Sequence, residues 1–151
     1  MATTRGDLVM VDTNILLTAT NAQRPGHLAA LGIFRKALDE GVHLASCGQI
    51  LREYLVVATR PVPLNGLGLS PEDALRNLEW FRKRQVYLEE PESVHRILAS
   101  LVERHQAAGK RIHDLNILAL MKEHRIQTLL TENPDDFSDV SGVQILRLET
   151  F

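Results

Sequence analysis

The sequence predicts an α/β protein with a parallel central sheet of about five strands and helices on both faces. Segments with the composition of strands alternate with segments that have the apolar spacing of helices. The predicted strands are short apolar runs without polar alternation, which is typical of parallel strands buried on both faces. Apolar residues make up 44% of the chain and charged residues 24%, the usual balance of a folded globular protein.

Each predicted element depends on a local signal. The first apolar run ends at Asp12, and a short helix follows it. Gly41 and Pro61 are stop signals for the second and third helices, and Ser70 is a good N-cap for the fourth. The predicted order is strand 8–11, helix 14–20, helix 26–40, strand 42–46, helix 49–59, helix 71–84, strand 86–88, helix 91–108, helix 114–124, strand 128–131 and strand 143–148.

Length and charge limit the classes of protein that the chain can represent. With 151 residues it has the length of one domain, which we predict over residues 1–151. The formal net charge is −2, so a nucleic acid would need a local basic patch. The single cysteine excludes a disulfide within the chain, and we expect a cytoplasmic location. The N-terminal apolar run is too short for a signal peptide, and no run reaches the roughly 18 apolar residues that span a membrane.

Acidic side chains occupy the ends of predicted strands and the starts of predicted helices. Asp12 directly follows the first strand, and Asp114 begins the sixth helix. Glu53 lies one helical turn from Ile50 and Val57, on an apolar stripe where a carboxylate is costly unless a cation pairs with it. Taken singly, Asp12 and Asp114 are also explained as helix caps. Glu53 is also explained as a side chain at the edge of the stripe with its carboxylate in water.

A further polar cluster, residues 131–137, directly follows the fourth strand. Its sequence, Thr-Glu-Asn-Pro-Asp-Asp-Phe, also suits a plain turn. In open parallel sheets, ligands bind beyond the carboxyl ends of the strands, so we expect this cluster to meet the three acids at one edge of the sheet. Carboxylate and amide oxygens at such an edge suit a hard divalent cation such as Mg²⁺.

Four short segments carry these acids in a characteristic order. They are Val11-Asp12-Thr13-Asn14, Gln49-Ile50-Leu51-Arg52-Glu53-Tyr54, His113-Asp114-Leu115-Asn116-Ile117 and Leu130-Thr131-Glu132-Asn133-Pro134-Asp135-Asp136-Phe137. In this combination the chain resembles the PIN-domain ribonucleases, especially the VapC-like toxins of bacterial toxin–antitoxin pairs. The resemblance extends over residues 8–137 and implies a three-layer α/β/α sandwich that cleaves RNA with Mg²⁺ or Mn²⁺.

The resemblance also implies roles for individual residues. Asp12, Glu53 and Asp114 would be the metal-binding and catalytic acids. Asn14 would support Asp12, and Thr131 would lie close to the metal.

The chain departs from the family pattern at the fourth acid. The position two residues after Thr131 is often Asp in the family, and here it is Asn133. Asn133 can still offer a carbonyl oxygen, and Asp136 is the alternative fourth catalytic residue. The sequence therefore leaves open which of the two completes the site, and whether one metal ion or two bind there.

An RNA substrate requires cations near the acidic centre to contact its phosphates. The candidates lie beside the acidic segments and are Arg24, Arg52, Arg60, Lys110 and Arg111. The resemblance further implies a small antitoxin protein that covers the site. A homodimer is also expected, and apolar surface on helices 26–40 and 71–84 is a candidate for either contact.

Other functions fit parts of the pattern. A phosphatase or phosphotransferase would use Asp12 as its nucleophile, but it usually has a second acid where Asn14 stands, and it gives Glu53 no role. A non-catalytic PIN-like module would bind RNA or a protein without cleavage, and Asn133 is the feature that favours it. A housekeeping nuclease, rather than a toxin, is also compatible with the sequence.

Overall fold

The computed structural model describes residues 7–151. Residues 1–6, which belong to the predicted domain and to the argument against a signal peptide, lie outside the described residues. The strands are β1 (Leu8–Val11), β2 (His43–Cys47), β3 (Val86–Leu88), β4 (Thr128–Leu130) and β5 (Gln144–Leu146). The helices are α1 (Thr13–Thr20), α2 (His27–Lys36), α3 (Gly48–Thr59), α4 (Pro71–Arg82), α5 (Glu92–His105) and α6 (Arg111–Glu123). Short 3₁₀ turns lie at Val62–Leu64, Pro134–Phe137 and Leu148–Thr150.

The five strands form one parallel sheet in the order β3-β2-β1-β4-β5. Helix α1 packs against α2 and α3, α3 packs against α4, and α5 packs against α6. The predicted α/β/α arrangement is confirmed. The chain adds strands on one side of β1 and then on the other, so the strand order reverses between β1 and β4. Such a reversal opens a crevice at the carboxyl ends of the two strands, where ligands bind in open α/β sheets.

The central strand and the helices beside it are anchored by buried side chains. Val9, Met10 and Val11 of β1 are all 0% exposed, as expected for a strand covered on both faces. Tyr54 of α3 is also fully buried, and its hydroxyl lies 3.0 Å from the Thr20 hydroxyl of α1. This contact fixes α3, which carries Glu53, against α1. Within residues 7–151, no helix combines the length and apolarity needed to cross a membrane.

Several element boundaries differ from the prediction. Helix α2 ends at Lys36, and the chain turns at Gly41, which has a φ of 75°. Helix α5 ends at His105 because Gln106 adopts the left-handed conformation with a φ of 48°. Helix α6 begins at Arg111, so Asp114 lies within its first turn and is not its N-cap. Strand β5 ends at Leu146, before a 3₁₀ turn.

Candidate active site

Asp12 is the first residue beyond β1 and also the N-cap of α1. Its backbone N–H donates to the carbonyl of Leu130 at 3.0 Å, which continues the β1–β4 pairing by one residue. Its carboxylate accepts from the backbone N–H of Thr13 at 2.8 Å. Burial raises the pKa of Asp12, and the charges of Glu53 and Asp136 raise it further. The cap predicted as an alternative role is therefore present, and it holds the carboxylate among other acids.

Thr131 lies beside Asp12 because β4 pairs with β1 and ends at the same level. Thr131 is 0% exposed, and its hydroxyl donates to Asp12 Oδ2 at 2.7 Å. The same hydroxyl oxygen accepts from Asn14 Nδ2 at 3.2 Å and from the backbone N–H of Asn133 at 3.0 Å. Asn14 Nδ2 also lies 3.3 Å from Asp12 Oδ2. Both residues predicted to support the acids, Asn14 and Thr131, therefore contact Asp12.

Glu53 reaches this edge of the sheet from α3, where two uncharged donors hold it. Thr13 Oγ1 donates to its Oε2, and Gln49 Nε2 donates to its Oε1, each at 2.8 Å. The apolar stripe predicted around Glu53 is incomplete, since Ile50 is buried but Val56 is 54% exposed. Glu53 is half-buried at the boundary, so neutral hydrogen bonds take the place of the cation that a fully buried carboxylate would require.

Gln49 connects two acid-bearing helices and was not among the residues predicted from the sequence. Besides Glu53, its Nε2 donates to the carbonyl of His113 at 3.0 Å, and its Oε1 accepts from Asn116 Nδ2 at 2.8 Å. Gln49 is only 6% exposed. It therefore links Glu53 on α3 to the turn of α6 that carries Asp114. A glutamine one helical turn before the acid, on the buried side of α3, was the available signal.

Asp114 is a half-buried carboxylate in the first turn of α6. Burial and the charge of Asp136 are the main causes that raise its pKa to about 6. Arg111 lowers this pKa in part, since its Nη1 lies 3.6 Å from Asp114 Oδ2. The charges of Asp12 and Glu53 raise it again. Acids from distant parts of the sequence are thus close enough to repel one another.

Of the two candidates for the fourth position, Asp136 adds a charge to the cluster, whereas Asn133 is uncharged. The charge of Asp136 raises the pKa of both Asp12 and Asp114. Asp136 lies in an exposed position of the 3₁₀ turn Pro134–Phe137. Asn133 is also exposed, and it contacts Thr131 through its backbone. The structure therefore brings Asp136 into the electrostatic cluster.

The cluster has the donor chemistry of a site for a hard divalent cation, because its candidate ligands are carboxylate oxygens. Burial is the first cause of the raised pKa of Asp12 and of Asp114, and the charges of neighbouring acids raise both further, with Arg111 offsetting part of the rise at Asp114. As placed, no three His, Cys, Asp or Glu side chains in the described part of the chain lie close enough to hold one ion. The residues fit such an ion in chemistry and charge, and side chains of the cluster would have to move closer together to hold it.

Two of the predicted RNA-binding cations have surroundings that limit this role. Arg111 is already engaged: its Nη2 lies 2.6 Å from Asp139 Oδ1, and its Nη1 donates to the carbonyl of Asp136. Arg60 follows the end of α3, seven residues beyond Glu53 and so about 10 Å from it along the helix axis. Arg111 therefore acts as a brace within the site, and Arg60 lies away from the acids.

The other three predicted cations lie closer to the acidic edge. Arg24 lies 3.5 Å from Thr18 Oγ1, which itself donates to Glu132 at 2.9 Å. Arg52 is an exposed neighbour of Glu53 in the sequence, and Lys110 is exposed directly before α6. Their RNA contacts stay a prediction.

Several solved structures share this fold. The chain is similar to a chain of VapBC2 from Rickettsia felis, a complex bound to a DNA fragment from its promoter, with a TM-score of 0.67 and 17% identity over 93% of this chain and 98% of that one. It is similar to a chain of VapBC-1 from nontypeable Haemophilus influenzae, with a TM-score of 0.65 and 19% identity over 94% and 98%. For FitAcB from Neisseria gonorrhoeae the TM-score is 0.61 at 20% identity over 95% and 99%.

The family assignment comes from the sequence itself. No curated protein matches the chain. The family model described as "PIN domain" matches residues 9–143, which include every residue of the acidic cluster. The predicted family is confirmed: the chain belongs to the PIN domain family, whose members are generally nucleases.

Proposed function

We propose that this protein is a metal-dependent endoribonuclease with its active site at the carboxyl edge of the sheet. One observation carries the proposal. Asp12, Glu53 and Asp136 come from three separate segments of the chain, yet together with burial their charges raise the pKa of Asp114 on α6 to about 6. Perturbed carboxylates that converge at a crevice are typical of catalytic sites. Membership of a nuclease family supports this interpretation.

Asp12, Glu53 and Asp114 would hold the ion, Mg²⁺ or Mn²⁺, with Asp136 assisting and Asn133 as a further exposed oxygen donor. A divalent ion bound there would activate a water molecule and offset charge that develops on the scissile phosphate. The chain's own part is positioning. Hydrogen bonds from Thr131 and Thr13 fix Asp12, and those from Gln49 and Thr13 fix Glu53.

We further propose that the nuclease is the toxin of a toxin–antitoxin pair. Complexes described as VapBC share its fold over 93–94% of the chain. The surfaces predicted to contact an antitoxin or a second copy expose large apolar side chains, Leu28 on α2 at 80% and Leu75 on α4 at 54%. Co-purification with the product of a short adjacent gene, and loss of cleavage in that complex, would support the toxin role. Cleavage that this product leaves unchanged would favour a housekeeping nuclease.

The phosphotransferase alternative receives little support from the geometry of Asp12. Thr13 occupies one of its carboxylate oxygens, and Thr131 and Asn14 occupy the other. A non-catalytic module is the second candidate, because the described acids form no ready three-ligand group.

The first experiment is cleavage of a panel of single-stranded and structured RNAs with Mg²⁺, with Mn²⁺ and with EDTA. Wild type, Asp12→Asn and the exposed-loop control Asp135→Asn are compared. We expect cleavage that needs metal, is lost in Asp12→Asn and persists in Asp135→Asn. Metal-independent cleavage, or a folded Asp12→Asn protein with full activity, would contradict the assignment. Absence of both metal binding and cleavage would favour the non-catalytic module.

A further inference from the structure

A second candidate binding surface lies at the amino-terminal edge of the strands, the edge opposite to the acids. A cleft of about 540 Å³ runs between α5, α6 and the segment 139–143. Gln127, directly before β4, and Val143, close to the start of β5, line this cleft. It therefore opens at the amino-terminal edge of the strands, whereas the acids lie at their carboxyl edge.

Cations without acidic partners border this cleft. Arg104, Lys122 and Arg125 line it, and none of them takes part in an ion pair with the described residues. A smaller adjoining cavity of about 230 Å³ shares Arg104 and Lys122 and adds Arg96, which differs from the other three in having an acidic partner, Glu92, at 3.5 Å. Arg96 and Arg104 are eight residues apart on α5 and so share one helix face. We call these four residues, Arg96, Arg104, Lys122 and Arg125, the basic track.

Arg125 occupies a backbone position that normally favours glycine. It follows the end of α6 with a φ of 57°, in the turn closed by a 2.8 Å hydrogen bond from Ile126 N–H to the Met121 carbonyl. Side chains in this left-handed conformation are strained, and helices commonly end on Gly or Asn there. Gln106 and Asn65 adopt the same conformation elsewhere in the described chain, and at Arg125 it presents an exposed cation at the rim of the cleft.

The lining of the cleft combines an apolar floor with cations at its rim. Leu118, Met121 and Ile126 in the floor are at most 5% exposed, whereas Val140 and Val143 are partly exposed. The imidazole of His105 also lines the cleft, and its Nδ1 lies 3.3 Å from Asp139 Oδ2. Exposed cations above a closed floor suit a phosphate backbone, which is bound through charge without base contacts.

A series of side-chain contacts joins the cleft to the acidic centre. Asp139 lines the cleft and binds Arg111, which also lies against Asp114. Lys122 is eight residues beyond Asp114 on the same helix, about 12 Å along its axis. That distance corresponds to roughly three or four nucleotides of a stacked strand.

We propose that the basic track binds the phosphate backbone of the RNA a few nucleotides away from the scissile bond. This inference rests on the proposed ribonuclease function. The track would strengthen RNA binding and leave the chemical step unchanged, because none of its residues touches the acids.

RNA binding is measured first, under conditions in which the RNA is not cleaved. Fluorescence anisotropy with a labelled, unstructured RNA of about 20 nucleotides is recorded in EDTA over a range of salt concentrations. The double variant Lys122→Gln/Arg125→Gly is compared with wild type and with Arg35→Gln/Lys36→Gln, which removes two exposed cations from α2. We expect the track variant to bind about tenfold more weakly and to lose about 1.4 units of salt slope, since each phosphate contact on a single strand contributes about 0.7, with the α2 variant unchanged.

Cleavage then separates this inference from the proposed function. We expect the track variant to raise KM and keep kcat on the long RNA. On an RNA of about three nucleotides, too short to reach the track, it should match wild type. Equal RNA binding by both double variants, or equal competition by poly-glutamate at the same ionic strength, would overturn the track as an RNA site. Failure of wild type to cleave RNA with any metal, while the track variant still loses binding, would contradict the nuclease and leave the RNA surface intact.

Discussion

Helix α6 has a half-buried acid in its first turn and an exposed cation in its last, and the two ends indicate function in different ways. At its start, Asp114 is half-buried among other acids, and its pKa is raised to about 6. In the last turn and two residues beyond the end of the helix, Lys122 and Arg125 are exposed, and each suits the helix dipole. A single residue is therefore informative at the acidic end, because its environment opposes its charge. At the basic end only the joint arrangement of the cations indicates a ligand.

The largest expected effect on cleavage comes from a substitution at the acidic end of α6. Asp114→Asn should reduce metal-dependent cleavage by about a thousandfold, since an acid that binds the ion contributes several kcal/mol to the transition state. The same variant should unfold at a higher temperature than wild type in metal-free buffer at neutral pH, because it removes a charge that burial disfavours. Asp135→Asn is the control. Full activity of folded Asp114→Asn would remove this residue from the site.

Removal of the Gln49 link between α3 and α6 should have the next largest effect. Gln49→Leu leaves Glu53, Asn116 and the His113 carbonyl without their shared partner, so we expect a loss of about 10–100-fold in Mn²⁺ affinity by calorimetry and in cleavage. The matched control is Gln85→Leu, because the side-chain amide of Gln85 is buried with no hydrogen-bond partner. Equal Mn²⁺ binding by the two variants would show that Gln49 serves only packing.

Titration without metal can decide whether Asp136 or Asn133 is the fourth residue of the acidic cluster. Asp136→Asn should lower the pKa of Asp114 from about 6, since the charge of Asp136 is the second cause of its rise after burial. Asn133→Ala should leave that pKa in place. Carboxyl carbon NMR measures both. A shift in Asn133→Ala with none in Asp136→Asn would reverse the assignment.

The pH dependence of stability follows from the same carboxylate. Its pKa is raised in the folded state from an ordinary 3.8 to about 6, so between these values the folded state binds a proton that the unfolded state has lost. The contribution of Asp114 to stability is therefore present at low pH and is lost as the pH rises through about 6. Urea unfolding of wild type and Asp114→Asn, without metal, should show a difference that grows in that direction. A pH-independent difference would contradict the raised pKa.

The smallest expected effect tests the basic end. Arg125→Gly should stabilise the fold by up to about 1 kcal/mol, because it relieves a left-handed residue, while it weakens RNA binding. Gln106→Gly, at the equivalent left-handed position after α5, should give a similar gain in Tm with unchanged RNA binding. If the two variants affect RNA binding equally, the charge of Arg125 has no role.

The sequence predicted most of the fold because its strands are apolar runs between helices with clear start and stop signals. It misplaced the ends of α2, α5 and α6, where left-handed residues and turns decide the boundary and composition does not. It also placed Asp12 and Thr131 at strand ends, and the parallel pairing of β1 with β4 then made them neighbours. The single-domain, homodimer and cytoplasmic expectations stay predictions.

The remaining parts of the site depend on contacts between distant segments. The role of Gln49 as a link depends on its hydrogen bond with Asn116, which lies 67 positions away in the sequence. The spacing of residues within α3 does not predict this contact. Arg111 was predicted to bind RNA, yet its guanidinium faces Asp139 at 2.6 Å. The basic track was missed because its cations come from two helices, and the cleft between them exists only in the folded chain.

The register of β1 and β4 has a consequence for how the site can change. Val11 is paired with Leu130, so Asp12 and Thr131 extend the two strands by one residue each. A slip of one residue in β4 would turn its buried side chains to the opposite face and would also move Thr131 away from Asp12. A single mutation that caused such a slip would then abolish both the proposed catalytic activity and the folded state.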